Sequence, residues 1–286
     1  MKLKTIIIFC LVSAALFVAA GPSFARNITG QKEALEGLSK GEIGRVVRVI
    51  DGDSFILEGG LRVTLAGVQA PKRAWPEKDL EAWPLAEQSR AALAKLIMGR
   101  RVQLYYGGDK RDRYGRAPAQ VWALGSADEQ EKSEIIWVQE AMAKAGLVRV
   151  YTWPGQKQNT KRLYRAEILA RADKRGIWDG QAVEKFYDVR GPAPNPLAQY
   201  VDSVQIVEGI IIDTADVRGT VFLNFGSDYK TDFTIGIAKK NRKAFTKTGL
   251  DPLSLSGARV RVRGWIELGN GPIIWLQDPN RLEVLD

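Results

Sequence analysis

Histidine is absent from the 286 residues of the chain, and cysteine occurs once, at Cys10. Without histidine, a histidine general base, a Ser-His-Asp triad and a His-ligated zinc site are all excluded. A single cysteine excludes a disulfide scaffold and a four-cysteine metal site. What is present is ordinary, with 45% hydrophobic and 26% charged residues. These values are typical of a folded globular protein of one large domain or two modest ones.

The first 25 residues have the pattern of a secretory signal peptide. Lys2 and Lys4 precede an apolar run at residues 5–21, and the small residues Ser23 and Ala25 predict cleavage after Ala25. An uncleaved anchor is the alternative, although the run is shorter than the ~20 residues of a spanning helix. Cleavage would leave a mature chain without cysteine, which suits a periplasmic or extracellular, oxidising compartment.

The surplus of positive charge lies in one part of the chain. Residues 26–199 contain 29 Lys and Arg against 22 Asp and Glu, whereas residues 200–286 contain 11 of each. Attraction to nucleic acid or another polyanion is therefore expected in the first part. The alternative is a surplus that is spread over the surface and serves only solubility.

A cluster of prolines divides the chain. Residues 191–196 contain three prolines, which is typical of a stiff, extended connector that interrupts helices and central strands. We therefore predict a flexible lead-in at residues 26–39, a first domain at 40–185, a Pro-rich linker at 186–199 and a second domain at 200–286.

The first domain is predicted to be a barrel with helices packed on it. Its predicted elements are, in order, strands at 44–50, 54–57 and 61–68, a helix at 84–98, strands at 102–106 and 117–124, and helices at 136–145 and 161–174. Strands followed by helices favour a closed antiparallel barrel in a mainly β, α+β chain.

The second domain is predicted to be a small OB-like β-barrel. Its predicted strands are 204–214, 220–225, 232–238, 258–268, 272–276 and 281–285, with a helix at 239–248. Its aromatic residues could stack on nucleotides, but zero net charge favours packing in the core instead. These residues are Phe222, Phe225, Tyr229, Phe233, Trp265 and Trp275.

Four motifs follow one another between residues 44 and 180. They are Val-Ile-Asp-Gly-Asp-Ser at 49–54, Asp-Arg-Tyr-Gly-Arg at 112–116, Val-Gln-Glu-Ala at 138–141 running on to Gly-Leu-Val at 146–148, and the stretch from Leu163 to Ile177-Trp178. Together they closely resemble the staphylococcal nuclease (thermonuclease) family, and four matches in order are far more specific than one. The resemblance implies a five-stranded OB-type barrel with three helices. It also implies phosphodiester cleavage with one calcium ion, a glutamate base and two arginines.

Part of the family's site is retained. On this resemblance Asp53 is the first calcium-binding aspartate, Asp51 is its acidic neighbour behind the ion, and Arg116 is the second arginine on the phosphate. The same residues have plainer interpretations, because Asp51-Gly52 is also common hairpin-turn chemistry. Asp112 could likewise pair with an arginine and brace the barrel.

The rest of the site is replaced at residues 64–72. Gly67 and Pro71 keep the family's spacing, but Thr64 replaces the first arginine, Gln69 replaces the second metal carboxylate and Lys72 replaces the glutamate base. A protonated lysine does not take a proton from water, and losing a positioned base costs about 10²–10⁴ in rate. Gln69 still offers a carbonyl oxygen, which calcium accepts as a ligand, but one carboxylate fewer and a nearby cation predict weak calcium binding.

Neighbouring residues could compensate for these replacements. Arg62 lies two residues before Thr64, on the same face of the strand, where it could reach a phosphate. The acidic residues Glu77, Asp79 and Glu81 follow in a loop and could supply a base. An active calcium-dependent phosphodiesterase on DNA or RNA with a rearranged site is therefore one alternative.

We expect an exported nuclease-like protein whose first domain is catalytically impaired and serves as a binding or scaffold module for nucleic acid or another polyanion. The resemblance brings seven cationic residues to one end of the barrel: Arg62, Lys72, Arg73, Lys110, Arg111, Arg113 and Arg116. Trp122, Trp137 and Trp178 have apolar surroundings and are expected in the core. A protein-interaction module of the cell envelope is the second alternative.

Overall fold

The computed structural model describes residues 35–74, 81–125, 135–153, 156–180 and 187–285. The predicted signal peptide lies outside the described residues, as do Glu77 and Asp79. One compact unit, Gly37–Asp286, contains both β-domains. Among the described residues, no helix has the length and apolar character needed to cross a membrane.

The first domain is a closed five-stranded barrel that carries helices. Its elements are β1 (Ser39–Asp51), β2 (Ser54–Leu57), β3 (Arg62–Leu65), β4 (Val68–Gln69), α1 (Ala86–Ile97), β5 (Arg101–Tyr106), β6 (Ala117–Ala123), β7 (Ile136–Trp137), α2 (Val138–Lys144), β8 (Arg149–Val150), α3 (Thr160–Ala172) and a 3-10 turn at Gly176–Trp178. Antiparallel pairs join β3, β2, β1, β5 and β6, and parallel pairing of β3 with β6 closes the barrel. The predicted mixed α and β barrel is confirmed.

Every residue of β6 is buried, because the barrel interior lies on one side of this strand and helix α2 covers it on the other. Gln139 of α2 fixes the helix there. Its amide nitrogen donates to the carbonyl of Ala119 at 2.8 Å, and its amide oxygen accepts the backbone N–H of Val121 at 3.0 Å. Trp122 and Trp137 are buried, as predicted, and their rings stack with centroids 5.8 Å apart. Trp178, also predicted in the core, is only partly buried.

Two predicted elements of this domain are interrupted. The strand predicted at 61–68 ends at Leu65, because Ala66 and Gly67 form a turn in which Gly67 has φ +84°. That left-handed backbone favours glycine, and it turns the chain out of the barrel. Gln69 therefore lies on β4, which pairs with β8. The helix predicted at 136–145 begins only at Val138, after the short strand β7.

The second domain is a β-domain with a short α-helix before its first long strand and another after its fourth. Its elements are β9 (Val189–Arg190), α4 (Pro194–Ala198), β10 (Val204–Ile210), β11 (Asp213–Val217), β12 (Thr220–Asn224), β13 (Thr234–Ile237), α5 (Arg242–Thr246), β14 (Arg259–Leu268), β15 (Pro272–Trp275) and β16 (Leu282–Leu285). The pairing order is β11-β12-β13-β15-β14-β10. Strands β11 and β10, at the two ends of this order, are consecutive in the chain. The predicted second β-domain is therefore present. The strand predicted at 204–214 is split after Ile210.

The segment predicted as an extended linker contains regular structure. Strand β9 pairs in parallel with β10, and Pro194 and Pro196 lie in helix α4. The expectation that these prolines exclude a helix is wrong at this position. Proline is accepted in the first turn of a helix, where the backbone N–H has no partner within the helix.

The expectation that the second domain's aromatic residues pack in the core holds for Phe225 and Phe233, which are buried. It is wrong for three others, since Tyr229 is 61% exposed, Trp265 47% and Trp275 38%. The zero net charge of the second domain did not predict the burial of its aromatic rings, because an exposed aromatic ring needs no charged neighbour.

Buried polar contacts fasten the two domains together. Arg263 of β14 donates to both carboxylate oxygens of Glu167 in α3, at 3.0 and 2.6 Å, and to Glu283 at 3.1 Å. Thr152, just after β8, donates to Asp278 at 2.7 Å. Arg263 and Glu167 are fully buried, so the second domain cannot leave without exposing this charge pair.

Candidate phosphate-binding site

A cavity of about 690 Å³ opens at one end of the first barrel. It lies between the β1–β2 turn, strands β3 and β4, the loop between β5 and β6, and the segment after β8. Its charged and aromatic lining residues are Asp51, Asp53, Arg62, Lys72, Asp112, Arg113, Tyr114, Arg116 and Trp153, and Thr64 and Gln69 also line it. The cavity thus collects both the retained and the replaced positions of the predicted site.

The β1–β2 turn presents two carboxylates to the cavity. Asp51 closes the turn by accepting the backbone N–H of Asp53 at 3.1 Å and the hydroxyl of Ser54 at 2.7 Å. The turn packs tightly on α1, because a β-carbon added at Gly52 would lie only 1.8 Å from the hydroxyl oxygen of Ser89. Glycine is therefore required here by space, and the packing fixes the position of Asp53.

The ammonium group of Lys72 binds the carboxylates of this turn. Its Nζ donates to Oδ1 of Asp53 at 2.8 Å and to Oδ2 at 2.6 Å, and it lies 3.9 Å from Asp51. Oδ2 of Asp53 also accepts the backbone N–H of Ala70 at 2.7 Å. Any other cation that binds Asp53 must first displace this ammonium group.

The charges of these three groups depend on one another. Burial acts to lower the pKa of Lys72, but the carboxylates of Asp53 and Asp51 outweigh it and hold that pKa above its ordinary value. Burial, together with the neighbouring Asp51, raises the pKa of Asp53 to about 6 against the opposing effect of Lys72. Lys72 is consequently protonated at neutral pH and has no lone pair with which to act as a base.

The amide oxygen of Gln69 is not available to a metal ion. That oxygen accepts two hydrogen bonds from Arg149, from Nε at 2.9 Å and from Nη2 at 2.6 Å. An amide oxygen has two lone pairs, and both are used here. The sequence-based expectation of weak ligation by Gln69 therefore meets an oxygen that is already engaged by a guanidinium group.

Arg149 is a site residue that the sequence interpretation missed. It is buried on β8, and it also donates to the backbone carbonyl of Val204 in the second domain at 3.1 Å. Burial lowers its pKa to about 10. The available signal was an arginine between Val148 and Val150 in an apolar strand, because a buried cation requires polar partners. The sequence alone could not identify Gln69 as one of them.

The loop between β5 and β6 is braced by Asp112. One carboxylate oxygen accepts the backbone N–H groups of Tyr114 and Arg116, each at 2.9 Å, and the other accepts Nε of Arg116 at 2.6 Å. The guanidinium groups of Arg113 and Arg116 lie 4.8 and 5.0 Å from the ring of Tyr114. Asp112 thus pairs with an arginine, as the plainer interpretation expected, but these contacts brace the loop and not the barrel, and they hold Arg116 at the cavity.

Four of the seven predicted cations line the cavity: Arg62, Lys72, Arg113 and Arg116. The other three lie elsewhere. Arg73 is 3.6 Å from Glu87, Arg111 donates to Glu42 at 2.7 Å, and Lys110 lies 5.9 Å from the ring of Tyr106. The β5–β6 loop directs Lys110 and Arg111 toward β1 and β5. These three residues do not line the cavity, and their part in nucleic-acid binding stays a prediction.

The cavity does not suit calcium as these side chains are arranged. Calcium takes about six to eight oxygen ligands and favours carboxylates. Asp51 and Asp53 are the carboxylates at this turn, and Lys72 offsets one of their two charges. Asp112 is paired with Arg116, and Gln69 is bound to Arg149. Within the described part of the chain, no cluster of three or more Asp, Glu or Cys side chains could hold a metal ion.

Comparison with known proteins places this site in context. The family model described as staphylococcal nuclease homologue matches residues 62–180. The thermonuclease of Staphylococcus intermedius is 31% identical over 143 residues, which cover 49% of this chain and 78% of that protein. An uncharacterised endonuclease of Escherichia coli O157:H7 is 31% identical over 139 residues, covering 47% and 76%. The thermonuclease of Staphylococcus hyicus is 28% identical over 137 residues, covering 47% and 74%.

Proposed function

The chain belongs to the staphylococcal nuclease family, and from that premise we propose that its first barrel binds the phosphate backbone of nucleic acid and has lost efficient calcium-dependent cleavage. The observation that carries the proposal is the ammonium group of Lys72, bound to both carboxylate oxygens of Asp53. A fixed internal cation takes the position that a metal would need, and it replaces the base.

Phosphate binding is supported by the remaining cations of the cavity. Arg62 and Arg113 line it, and so does Arg116, which engages Asp112 through Nε. Guanidinium groups bind phosphate oxygens through paired N–H donors. The rings of Tyr114 and Trp153 are exposed at the same cavity, and exposed aromatic rings stack on unpaired bases. We therefore expect single-stranded nucleic acid to be preferred.

Impaired catalysis is supported by the chemistry of Lys72 and Gln69. A protonated lysine cannot activate water, and loss of a general base costs about 10²–10⁴ in rate. Thr64, which lines the cavity, cannot supply the charge of a phosphate-clamping arginine, and such a loss costs roughly 10²–10³. The two losses need not multiply, since residues that act together are not additive.

An active calcium-dependent endonuclease is the second candidate. Its support is the position of Arg62, which lines the cavity beside Thr64, and the printed names of the relatives, which are thermonucleases and endonucleases. Glu81, one of the acidic residues considered as a substitute base, is exposed. This candidate requires a base and a metal ligand that reach the cavity only when substrate is bound.

One pair of measurements separates the candidates. Heat-denatured DNA is digested with and without calcium, with a staphylococcal thermonuclease as the positive control, and calcium is titrated calorimetrically into the protein. We expect no calcium-dependent cleavage above background and no calcium binding tighter than the millimolar range. Micromolar calcium affinity, or cleavage that is abolished by a chelator, would establish the second candidate instead.

Export is proposed from the sequence of the first 25 residues. A basic start, an apolar run and small residues at the predicted cleavage position support a signal peptide. Amino-terminal sequencing of the protein from the periplasm or medium of a producing bacterium should begin at Arg26. A chain that starts at Met1 in a membrane fraction would favour an anchor. Exported protein that binds no nucleic acid would support an interaction module of the cell envelope.

A further inference from the structure

A second cavity, of about 610 Å³, lies in the C-terminal domain, remote in sequence from every residue of the nuclease-like site. Strands β11 to β15 and the loops that follow β12 and β14 form it. The lining residues that carry the argument are Phe222, Tyr229, Trp275, Asp213, Glu267 and Asn224. The family match ends at residue 180 and so assigns nothing to this cavity.

Trp275 forms a flat apolar platform in the cavity. Its strand pairs with β13 so that Trp275 lies opposite Gly236. A β-carbon added to Gly236 would lie 2.5 Å from two atoms of the indole ring and 3.1 Å from a third. Such short distances to three ring atoms mean that the face of the ring, and not its edge, covers the glycine. Glycine thus lets the indole lie flat on the strand, with its other face toward the cavity.

Two further aromatic rings line the cavity beside this platform. The ring of Phe222 meets that of Trp275 nearly edge to face, with centroids 6.0 Å apart and planes at 67°. Tyr229 lines the cavity from the loop between β12 and β13 and is largely exposed. Edge-to-face contact restrains the indole before any ligand arrives. A ligand with a flat apolar face therefore meets a preorganised surface.

The polar groups of the cavity select against phosphate. Asp213 and Glu267 contribute carboxylates, and none of the described residues that line the cavity is a lysine or arginine. Asn224 is nearly buried, and its amide oxygen accepts the hydroxyl of Thr234 at 3.2 Å. An anionic ligand would be repelled by these two carboxylates and would find no lysine or arginine among the described lining residues. Nucleic acid is therefore disfavoured here.

Pyranose sugars have the complementary chemistry. Their C–H groups form flat apolar faces that pack on aromatic rings, and their hydroxyl groups donate hydrogen bonds to carboxylate and amide oxygens. We propose that this cavity binds a neutral oligosaccharide, with Trp275 under a sugar ring, Phe222 beside that ring, and Asp213, Glu267 and Asn224 holding the hydroxyl groups. The proposal is independent of whether the first barrel binds nucleic acid.

The test titrates the full chain calorimetrically with two probes, cellotetraose and chitotetraose. We expect at least one to bind in the millimolar range or tighter, and Trp275→Ala to weaken it about tenfold, the worth of a good aromatic contact. Trp265→Ala is the matched control, because Trp265 is an exposed tryptophan of the same domain outside the cavity, and it should leave binding unchanged. Circular dichroism checks that each variant folds.

A second variant keeps the test decisive if Trp275→Ala fails to fold. The double change Asp213→Asn and Glu267→Gln leaves every ring in place and should also weaken the tetrasaccharide. The proposal is overturned if neither tetrasaccharide binds, or if folded variants bind as wild type does. A thymidine tetranucleotide is titrated in the same way, and the proposal is also overturned if it alone binds in a Trp275-dependent manner. Concentration-dependent dimerisation that Trp275→Ala removes would show that the occupant is a second copy of this chain.

Discussion

The two domains present cavities of nearly equal volume, about 690 and 610 Å³, with different linings. The first is lined by four cationic and three acidic side chains on a turn and loops at the end of a barrel. The second is lined by aromatic rings and carboxylates on neighbouring strands. Volume alone would assign them similar ligands. Charge separates them, because a phosphate backbone needs cations and a neutral sugar needs flat apolar surface.

The two cavities also differ in how their key side chain is held. Lys72 is held by charge, since Asp53 binds its ammonium group and is itself held by the backbone of Ala70. Trp275 is held by shape, since Gly236 leaves room for its ring. A charge-held group responds to pH, salt and substitution of its partner, whereas a shape-held group responds to changes in volume. The predictions below use this difference.

The largest effect should come from restoring the family's residues in the first cavity. Thr64→Arg, Gln69→Asp and Lys72→Glu together should raise calcium-dependent cleavage of denatured DNA by roughly 10²–10⁴, because they return a base and a metal ligand. Digestion rates with and without calcium measure the gain.

The single change Lys72→Met is the control for this restoration. It frees Asp53 but supplies no base, so calcium affinity should improve without cleavage. A folded triple variant that cleaves no faster than wild type would show that Arg149 captures the new carboxylate at position 69, since both guanidinium contacts to Gln69 already point there.

The next largest effect concerns the buried ion pair of Arg263 and Glu167, which joins the two domains. Glu167→Gln removes one of the two carboxylates that face the buried Arg263 and leaves Glu283, and it should lower the free energy of unfolding by about 3–5 kcal/mol. Asp216→Asn is the control, because it weakens an ion pair with Arg242 that is partly exposed and worth about 0–1 kcal/mol. Urea unfolding measures both variants. Equal losses would mean that the interface charge pair contributes nothing beyond a surface pair.

The fold was largely predictable from sequence because its signals are local. These local signals include the Asp51-Gly52 turn, the β-branched residues of the strands and Gly99 just after α1. Each of them acts within a few residues. Errors arose where tertiary contact decided the outcome. Helix α4 forms in a proline-rich segment, and the strand predicted at 61–68 turns away at Gly67. In both places tertiary packing outweighed the local preference of the sequence.

The candidate site was predictable in its residues but not in its contacts. The motif spacing identified Asp53, Gln69 and Lys72, and the cavity contains all three. The engagement of Lys72 with Asp53, and of Gln69 with Arg149, joins residues 19 and 80 positions apart, which a single sequence does not reveal. The second cavity was missed for the same reason, because its platform needs Gly236 opposite Trp275 across two strands.

A smaller effect is expected on the salt dependence of DNA binding. Replacing Arg62 and Arg113 by glutamine should make the slope of log affinity against log salt shallower by about 1.4, which is 0.7 for each phosphate contact on a single strand. Lys243→Gln with Lys247→Gln makes the same change of charge on exposed positions of the second domain. Fluorescence anisotropy with a labelled oligonucleotide, over a series of salt concentrations, measures both slopes. If the two pairs change the slope equally, attraction comes from the overall charge and not from the first cavity.

The smallest predicted effect tests the charge-held character of the first cavity through pH. The pKa of Asp53 is raised to about 6, so lowering the pH from 7 to 5 protonates it and makes the cavity more positive, while Lys72 keeps its proton. One charge at about 7 Å from a phosphate in water is worth about 0.6 kcal/mol, so single-stranded DNA should bind roughly threefold more tightly at pH 5. Asp53→Asn carries no titrating group at this position, and its affinity should change less over the same range. If the variant and the wild type gain equally, another carboxylate titrates in that range, and Asp53 keeps its charge through its contact with Lys72.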